Sequence, residues 1–219
     1  MGEFKGMMVQ VTPIRQNCTI WWDETSRLAT VVDPGGDVDK LMDATGDQGL
    51  DVEQILLTHG HVDHAAGATA LRERLVARSG HPVPIVGPDE RDRFLLDDLV
   101  QSGAKFGIAE AAPVTPDRWL KEGDAVTIAG RPFEVLHCPG HTPGSLVYLA
   151  RELKLALVGD VLFKGSVGRT DFAYGDHAAL IEAISTKLLP LPDDIAFIPG
   201  HGQGSTIGAE RRSNPFLQG

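Results

Sequence analysis

An apolar segment that runs straight into a cluster of histidines constrains this chain more than any other feature. QILL (54–57) has the composition of a buried strand, and THGHVDH follows it at once. Unpaired polar groups beside a core cost free energy unless a partner satisfies them. We therefore expect a metal ion to explain the four donors of this segment, which are His59, His61, Asp63 and His64.

Three further apolar segments end in the same way. FEVLHCPGH ends in His141, LALVGD ends in Asp160, and IAFIPGH ends in His201. Loops at strand ends commonly gather at one edge of a fold, where binding sites are assembled. The pattern therefore predicts a metal site built from four separate parts of the chain.

The spacing divides the seven candidates into two sets. The first loop is extended up to its second histidine, whereas its aspartate and last histidine lie past the turn and face a neighbouring point. One cation would be held by a histidine set (His59, His61 and His141), a second by an acidic set (Asp63, His64 and His201), and Asp160 would bridge them, because a carboxylate has two oxygens. Nitrogen and oxygen donors without thiolate suit zinc, iron or manganese. We expect two divalent cations, Zn²⁺ first, with iron or manganese as alternatives.

Asp33 in VVDPGG has two interpretations. The Pro-Gly-Gly that follows is typical of a turn, and aspartate often forms such turns. The alternative is a carboxylate that orients a metal-binding histidine from behind. Both interpretations stay open on the sequence alone.

The order of strand and helix patterns predicts an α+β fold. TIWW and LATVV indicate an early hairpin, and the patterns over 38–45 and 65–78 predict helices. The pattern over 91–101 predicts one amphipathic helix whose Phe94, Leu95 and Leu99 cover the sheet. Two runs of strands, each followed by helices, predict two β-sheets packed face to face with helices outside.

Composition excludes several classes of protein. The chain has 219 residues, 42% hydrophobic and 23% charged, without a linker, so we expect one domain over residues 1–219. The net charge of −10 without a basic stripe argues against nucleic acid as a partner. Two cysteines, Cys18 and Cys138, without a CxxC motif suit the reducing cytoplasm. No apolar run is long enough for a membrane span, and the N-terminus lacks the apolar core of a signal peptide.

The first residues have a composition unlike the rest. MGEFKGMM reads as a leader over residues 1–6 in front of a natural start at Met7 or Met8. The sequence leaves open whether the chain is a monomer or a homodimer.

The motifs THGHVDH, CPGHTPG, LVGDVLF and PGHG resemble the metallo-β-lactamase fold superfamily, and GSVGRTDF and STIGAERRSNPFL resemble its short bacterial glyoxalase II-like (hydroxyacylglutathione hydrolase-like) type. The resemblance implies an αβ/βα sandwich with a dinuclear metal centre and the same two ligand sets bridged by Asp160. It also implies hydrolysis of thioesters such as S-lactoylglutathione, with a metal-activated hydroxide as nucleophile and Asp63 and Asp160 as the catalytic carboxylates.

The resemblance also assigns candidate substrate contacts. Arg169 matches a basic residue that contacts a glutathione carboxylate in this type, although an ion pair with Asp171 or Asp176 would equally explain it. Lys164 is a second candidate of the same kind. Longer members continue beyond NPF into a helical region with further glutathione contacts, so a requirement for glutathione stays open.

One alternative function belongs to a different class of enzyme. Persulfide dioxygenases share the fold, the ligand pattern and the GRTDF stretch but use a single iron, which here would be held by His59, His141 and Asp160. Such enzymes usually carry cysteine at the position of Val167, which favours the hydrolase. Lactonase or β-lactamase activity is a third and weaker alternative.

Overall fold

The first half of the chain forms a five-stranded mixed sheet. The computed structural model describes residues 2–109 and 111–218. Its first sheet contains β1 (Phe4–Val11), β2 (Gln16–Asp23), β3 (Leu28–Val32), β4 (Asp51–Leu56) and β5 (Ile85–Val86), in that order. The first three strands are antiparallel, which confirms the predicted β2–β3 hairpin, and β3, β4 and β5 are parallel. The carboxyl ends of β3 and β4 therefore meet at one edge, where Asp33 and the histidine-rich loop follow.

Helices cover the outer face of this sheet. They are α1 (Val38–Asp47), α2 (Val62–Ala65), α3 (Ala68–Ser79), α4 (Arg93–Asp97) and α5 (Leu99–Phe106), with a 3₁₀ turn at Glu90–Asp92. The prediction of one helix over 91–101 is wrong, because the chain breaks there into three short helical segments. Phe94 is exposed, whereas Leu96 and Leu99 are buried. The carboxylate of Asp92 is hydrogen-bonded to two distant loops, and these tertiary contacts fix the start of α4 independently of its apolar pattern.

The second half repeats the arrangement. It contains β6 (Ala125–Ile128), β7 (Arg131–His137), β8 (Leu146–Ala150), β9 (Leu155–Gly159), a small hairpin of β10 (Leu162–Phe163) and β11 (Ser166–Val167), α6 (His177–Ala183), a π-helical turn (Ile184–Leu188), β12 (Ala196–Pro199), β13 (Ser205–Thr206), α7 (Ile207–Ser213) and a 3₁₀ turn (Pro215–Leu217). The six-stranded sheet has the order β13-β12-β9-β8-β7-β6. Because β9 and β12 are parallel, Asp160 and His201 follow them at the same edge.

Alternation along the central strands explains the layers. In β8, Val147 and Leu149 pack with the helices of the second half, whereas Leu146 and Tyr148 face the other sheet. Leu56 of β4 meets them in the layer between the sheets. A third apolar layer lies between the first sheet and its helices. The result is an αβ/βα four-layer sandwich of two mixed sheets, which confirms the predicted α+β class.

The segment interpreted as a leader pairs with the first sheet. Phe4, Lys5 and Gly6 belong to β1 and pair with β2. The ring of Phe4 stacks on Trp21 with the centroids 5.2 Å apart. Positions 4–10 of β1 are exposed or half-buried, as in an edge strand, and only Val11 is buried, so no run of buried apolar residues marks this strand in the sequence. Within the described residues, every helix is too short or too polar to cross a membrane.

Candidate metal centre

The donors of the histidine set come together from two loops. His61 Nδ1 lies 3.2 Å from His59 Nε2 and 2.9 Å from His141 Nε2. One nitrogen of each ring lies within 4.8 Å of the others. The loop after β4 and the loop after β7 therefore deliver three imidazoles to one point, as the sequence predicted.

The acidic set forms a second group beside the first. His201 Nε2 lies 2.9 Å from Asp63 Oδ2, and His64 Nε2 lies 3.6 Å from the same oxygen. Asp63 and His64 are carried by α2, directly after the histidine-rich loop, and His201 follows β12. The ligand atoms of these three residues also lie within 4.8 Å of one another.

Asp160 lies between the two groups. Its Oδ2 is 3.5 Å from His141 Nε2 and 3.8 Å from His201 Nε2, and its Oδ1 is 3.4 Å from His64 Nε2. The carboxylate thus contacts one histidine of the histidine set and two of the acidic set. Gly200 permits this approach, because a Cβ there would lie 2.2 Å from Asp160 Oδ1.

Two buried atoms test whether this donor set suits a cation. His64 Nε2 and Asp160 Oδ1 are buried and face each other at 3.4 Å, and neither makes a hydrogen bond within the described residues. Buried polar atoms left unpaired are costly, and a cation at this place would satisfy both. Imidazole nitrogens and carboxylate oxygens are ligands of zinc, iron and manganese. The groups can therefore bind metal ions.

Hydrogen bonds behind the rings point their free nitrogens into the centre. His141 Nδ1 donates to the carbonyl of Arg169 at 2.8 Å, and His64 Nδ1 donates to Asp33 Oδ2 at 2.9 Å. Thr58 Oγ1 donates to Asp33 Oδ2 at 2.6 Å and lies 3.0 Å from His59 Nδ1, so it accepts from that ring. In each case Nδ1 holds its proton on the outer side, so that the ring in its neutral form presents the lone pair of Nε2 to the centre.

Asp33 combines both roles that the sequence left open. Its φ of 55° is the left-handed conformation of a turn, and Gly35 N–H donates to its carbonyl at 3.0 Å. Its side chain is buried, accepts from Thr58 N–H at 2.7 Å and accepts from His64. The turn therefore aims a carboxylate at the back of a candidate ligand.

The two sets differ in their proton affinity. Burial and the neighbouring imidazoles hold the pKa of His59 well below its usual range, and burial followed by the charge of His141 lowers the pKa of His61 to about 3. Burial also lowers the pKa of His141. Burial opposes a charge on His64 too, but Asp160, Asp63 and Asp33 outweigh it and raise its pKa well above normal.

Burial and neighbouring charges also have opposite effects on the pKa values of Asp63 and Asp160. Burial alone would raise the pKa of Asp63 and of Asp160, but the charge of His64 holds both pKa values below normal, with help from His201. The two side chains therefore stay ionised beside His64. A bound cation would take the place of the positive charge that His64 supplies here.

Asp92 is a buried side chain that the sequence interpretation missed. It is fully buried, and its Oδ2 accepts from Gly60 N–H at 2.8 Å and from Thr142 Oγ1 at 2.7 Å. Its Oδ1 accepts from Gly144 N–H at 2.6 Å. Gly60 lies between two histidines of the histidine set, and Thr142 follows the third. One carboxylate therefore connects the two loops that supply this set.

Aromatic side chains close the open side of the histidine set. Tyr174 OH lies 2.9 Å from His61 Nε2, and its ring stacks on Phe172 at 5.2 Å. Phe172 in turn lies 5.0 Å from the His61 ring and 5.7 Å from the His141 ring. Both residues fall in TDFAYGD, directly after the predicted substrate contact Arg169. This proximity was the only sign in the sequence that they lie at the site.

The centre opens into a cavity of about 650 Å³ that includes both predicted substrate contacts. Arg169 lies over Phe172, 4.6 Å from the ring centroid, and its Nε and Nη2 donate to the carboxylate of Asp171 at 2.7 and 2.8 Å. The alternative ion pair thus exists, with Asp171 as its partner, on a side chain that also lines the cavity. Lys164 lines the cavity as well and donates to Gln203 Oε1 at 3.2 Å.

The chain is similar to known proteins over nearly its whole length. The family model described as the metallo-beta-lactamase superfamily matches residues 11–201. The protein named hydroxyacylglutathione hydrolase GloC of Haemophilus influenzae is 44% identical over 211 residues, which are 96% of each chain.

Solved structures agree with this result. The BLEG-1 B3 metallo-beta-lactamase is 34% identical with a TM-score of 0.87, and covers 98% of this chain and 100% of its own. The structure of TTHA1623 in a di-iron-bound form is 35% identical with a TM-score of 0.81, over 96% of this chain and 100% of its own. The chain therefore belongs to the metallo-beta-lactamase superfamily and is similar to its short glyoxalase II-like hydrolases.

Proposed function

We propose that this chain is a hydrolase with two divalent cations, most readily Zn²⁺, that cleaves small-molecule thioesters such as S-lactoylglutathione. The observation that carries the proposal is the position of Asp160, which lies between the histidine set and the acidic set and has a buried oxygen that makes no hydrogen bond to any described residue. The 44% identity to a protein named hydroxyacylglutathione hydrolase supports the thioester as substrate. Residues 1–219 would form one cytoplasmic domain, acting as a monomer or homodimer.

The residues of the chain divide the work of such a reaction. Cations held here would lower the pKa of water and polarise a thioester carbonyl. Asp63 and Asp160 hold negative charge in a buried place, which balances that of the cations. Asp33 and the Arg169 carbonyl fix the ring orientations of His64 and His141. A protein nucleophile is not required, and burial raises the pKa of Cys138 to about 12, which keeps its thiol unreactive.

The cavity suits a thioester of an anionic thiol. A volume of about 650 Å³ lies within the range of small-molecule sites. Lys164 and Arg169 supply two positive charges on its wall for the carboxylates of a carrier such as glutathione. Phe172 and Tyr174 exclude water from one side of the histidine set.

The persulfide dioxygenase alternative would use only His59, His141 and Asp160. It would leave Asp63, His64 and His201 without a role as ligands, although their donor atoms lie together and His64 Nε2 makes no hydrogen bond within the described part of the chain. A site for a single iron does not require a second group of donors at this distance. Because persulfide dioxygenases share this ligand pattern, the feature that favours the hydrolase is Val167, at the position where they usually carry cysteine.

One set of assays separates these activities. The protein is stripped with a chelator, reloaded with zinc, iron or manganese, and analysed for metal content. S-lactoylglutathione hydrolysis, oxygen uptake with glutathione persulfide and hydrolysis of a β-lactam are then measured on the same sample, with the stripped protein as control. We expect about two metals per chain and thioester hydrolysis that depends on them. Oxygen uptake without thioester hydrolysis, or no more than one metal after full loading, would overturn the proposal.

A further inference from the structure

The two halves of the chain differ in the charge that they contribute to the cavity, although both contribute apolar side chains, which in the second half are Phe163, Val167, Phe172 and Tyr174. Both cationic side chains on its lining, Lys164 and Arg169, come from the second half. Among the described residues, the first half contributes no lysine or arginine to this lining. Its contribution beyond the metal-binding residues is mainly apolar and consists of Ile14, Val62, Leu95 and Phe106, with Ser102 as the polar exception.

Two of these apolar side chains are unusually exposed. Ile14 in the β1–β2 turn is 43% exposed, and Phe106 at the end of α5 is 50% exposed. Covering a large exposed apolar side chain with an apolar group lowers the free energy. Ser102 and Phe106 are four residues apart and so lie on the same face of α5, which places that face along the cavity. This wall is therefore built to be covered by something apolar that enters the cavity.

The geometry of a thioester indicates which part of the substrate would cover the apolar wall. The carbonyl carbon must lie at the metal centre, between the walls, and the acyl group and the thiol carrier leave it in different directions. The carrier in the proposed reaction is anionic, so it belongs on the wall with Lys164 and Arg169. The acyl group then faces Ile14, Leu95 and Phe106, and among the described residues of this wall Ser102 is the polar side chain that could pair with a hydroxyl or a charge.

We infer that the preferred substrates carry a bulky apolar acyl group, aromatic or branched, which packs against Ile14, Leu95 and Phe106. This inference rests on the proposed thioester hydrolysis and narrows its substrate class. A lactoyl group is small and bears a hydroxyl, so it would leave most of the apolar wall uncovered. It is accepted, but it is not the acyl group that this wall fits best.

The test compares two acyl groups on one carrier. Metal-loaded wild type, Phe106→Ala and Phe216→Ala are assayed with S-phenylacetylglutathione and S-acetylglutathione. Phe216 is the matched control, because its ring is 49% exposed but does not line the cavity. Comparing variants on the same pair of substrates cancels their difference in intrinsic reactivity.

We expect Phe106→Ala to lower kcat/KM for the phenylacetyl thioester about tenfold and to change the acetyl thioester less than about twofold. Phe216→Ala should change neither. Equal losses on both substrates in Phe106→Ala, or no loss on either, would overturn the inference while leaving thioester hydrolysis intact.

A binding measurement keeps the two proposals separable. The thioethers S-(2-phenylethyl)glutathione and S-methylglutathione cannot be hydrolysed, and calorimetry gives their dissociation constants with the loaded protein. Wild type should bind the phenylethyl compound at least about tenfold more tightly, and Phe106→Ala should remove most of that difference. Lys164→Ala should weaken both compounds equally. If wild type hydrolyses no thioester, the proposed function is wrong, and equal binding of the two thioethers would show separately that the apolar wall is not a ligand site.

Discussion

The histidine set and the acidic set lie side by side on strand-end loops, yet their surroundings shift histidine pKa values in opposite directions. In the histidine set, burial and neighbouring imidazoles depress the pKa of every ring, so the lone pairs are free. In the acidic set, carboxylates raise the pKa of His64 against the effect of burial. A cation bound by the first displaces no proton, whereas a cation bound by the second competes with one.

The two sets are also supported differently. Asp92 stands behind the histidine set and acts through the backbone, since it accepts from Gly60 and Gly144 N–H and from Thr142. Asp33 stands behind the acidic set and acts on a ring, since it accepts from His64 Nδ1. One buried carboxylate therefore fixes loop positions, while the other fixes the tautomer of a candidate ligand, His64. Substitutions at these places should separate the two sets.

The largest effect is expected from Asp63→Asn. Asparagine keeps nearly the same volume but removes the charge that balances a cation in the acidic set. Bound metal should fall toward one per chain, and thioester hydrolysis should fall at least ~100-fold. Elemental analysis and the thioester assay measure both, with Asp194→Asn, an exposed carboxylate paired with Lys154, as control. Retention of two metals and most of the activity would show that Asp63 is not a ligand.

Asp92→Asn should mainly lower the free energy of unfolding, because Asp92 supports loop positions and is not a candidate metal ligand. The amide keeps one acceptor oxygen but turns an NH₂ group toward donors that Asp92 now satisfies, so at least one buried donor loses its partner. We expect the free energy of unfolding of the metal-free protein to fall by about 2 kcal/mol. Urea unfolding measures this loss, and Asp97→Asn, at an exposed position at the end of α4, is the control. An unchanged midpoint would mean that the loops hold their positions without this carboxylate.

Asp33→Asn should lower the metal affinity of the acidic set selectively. An asparagine NH₂ facing His64 Nδ1 would drive the ring proton to Nε2, the nitrogen that points into the centre. The affinity of the second metal should fall about tenfold or more, with a smaller effect on the first. Metal titration resolves the two affinities, and nitrogen NMR shifts report the His64 tautomer. Equal losses at both metals would show that Asp33 supports the whole centre, through Thr58 as well as His64.

The predicted ligands and the supporting residues differ in how far sequence could identify them. One local motif after an apolar strand contains His59, His61, Asp63 and His64. Such a motif can be recognised from the sequence alone. The parallel pairing of β9 with β12 then brings Asp160 and His201 together, as the rule for strand ends predicts. The fold class followed from the same alternation of strands and helices.

Asp92 and Tyr174 could not be found in this way. Their roles depend on partners that are distant in sequence, namely Gly144 for one and His61 for the other. An aspartate in a helical run of mixed polarity has no sequence mark that separates burial from exposure. The same cause explains the wrong helix over 91–101, where a tertiary hydrogen bond overrides the local apolar pattern.

Acid should remove the two metals in order. His64 keeps its proton to a higher pH than an ordinary histidine, so the affinity of the acidic set falls as pH drops through that raised pKa. The histidine set keeps its affinity to lower pH, because the pKa of His61 is about 3 and those of its partners are also depressed. Dialysis at a series of falling pH values followed by elemental analysis should show one metal lost first. Simultaneous loss would mean that the two sets behave as one coupled unit.

The smallest effect is expected from Arg169→Ala, because this side chain is exposed and already paired. A carboxylate of the substrate must compete with Asp171 for the guanidinium, and exposed ion pairs contribute little. KM for S-lactoylglutathione should rise roughly three- to tenfold, with hydrolysis of a small neutral thioester nearly unchanged. Asp171→Ala is the matched partner. If Arg169 binds substrate, freeing it from Asp171 should leave KM unchanged or lower it, whereas a purely structural pair would make both variants lose activity equally on both substrates.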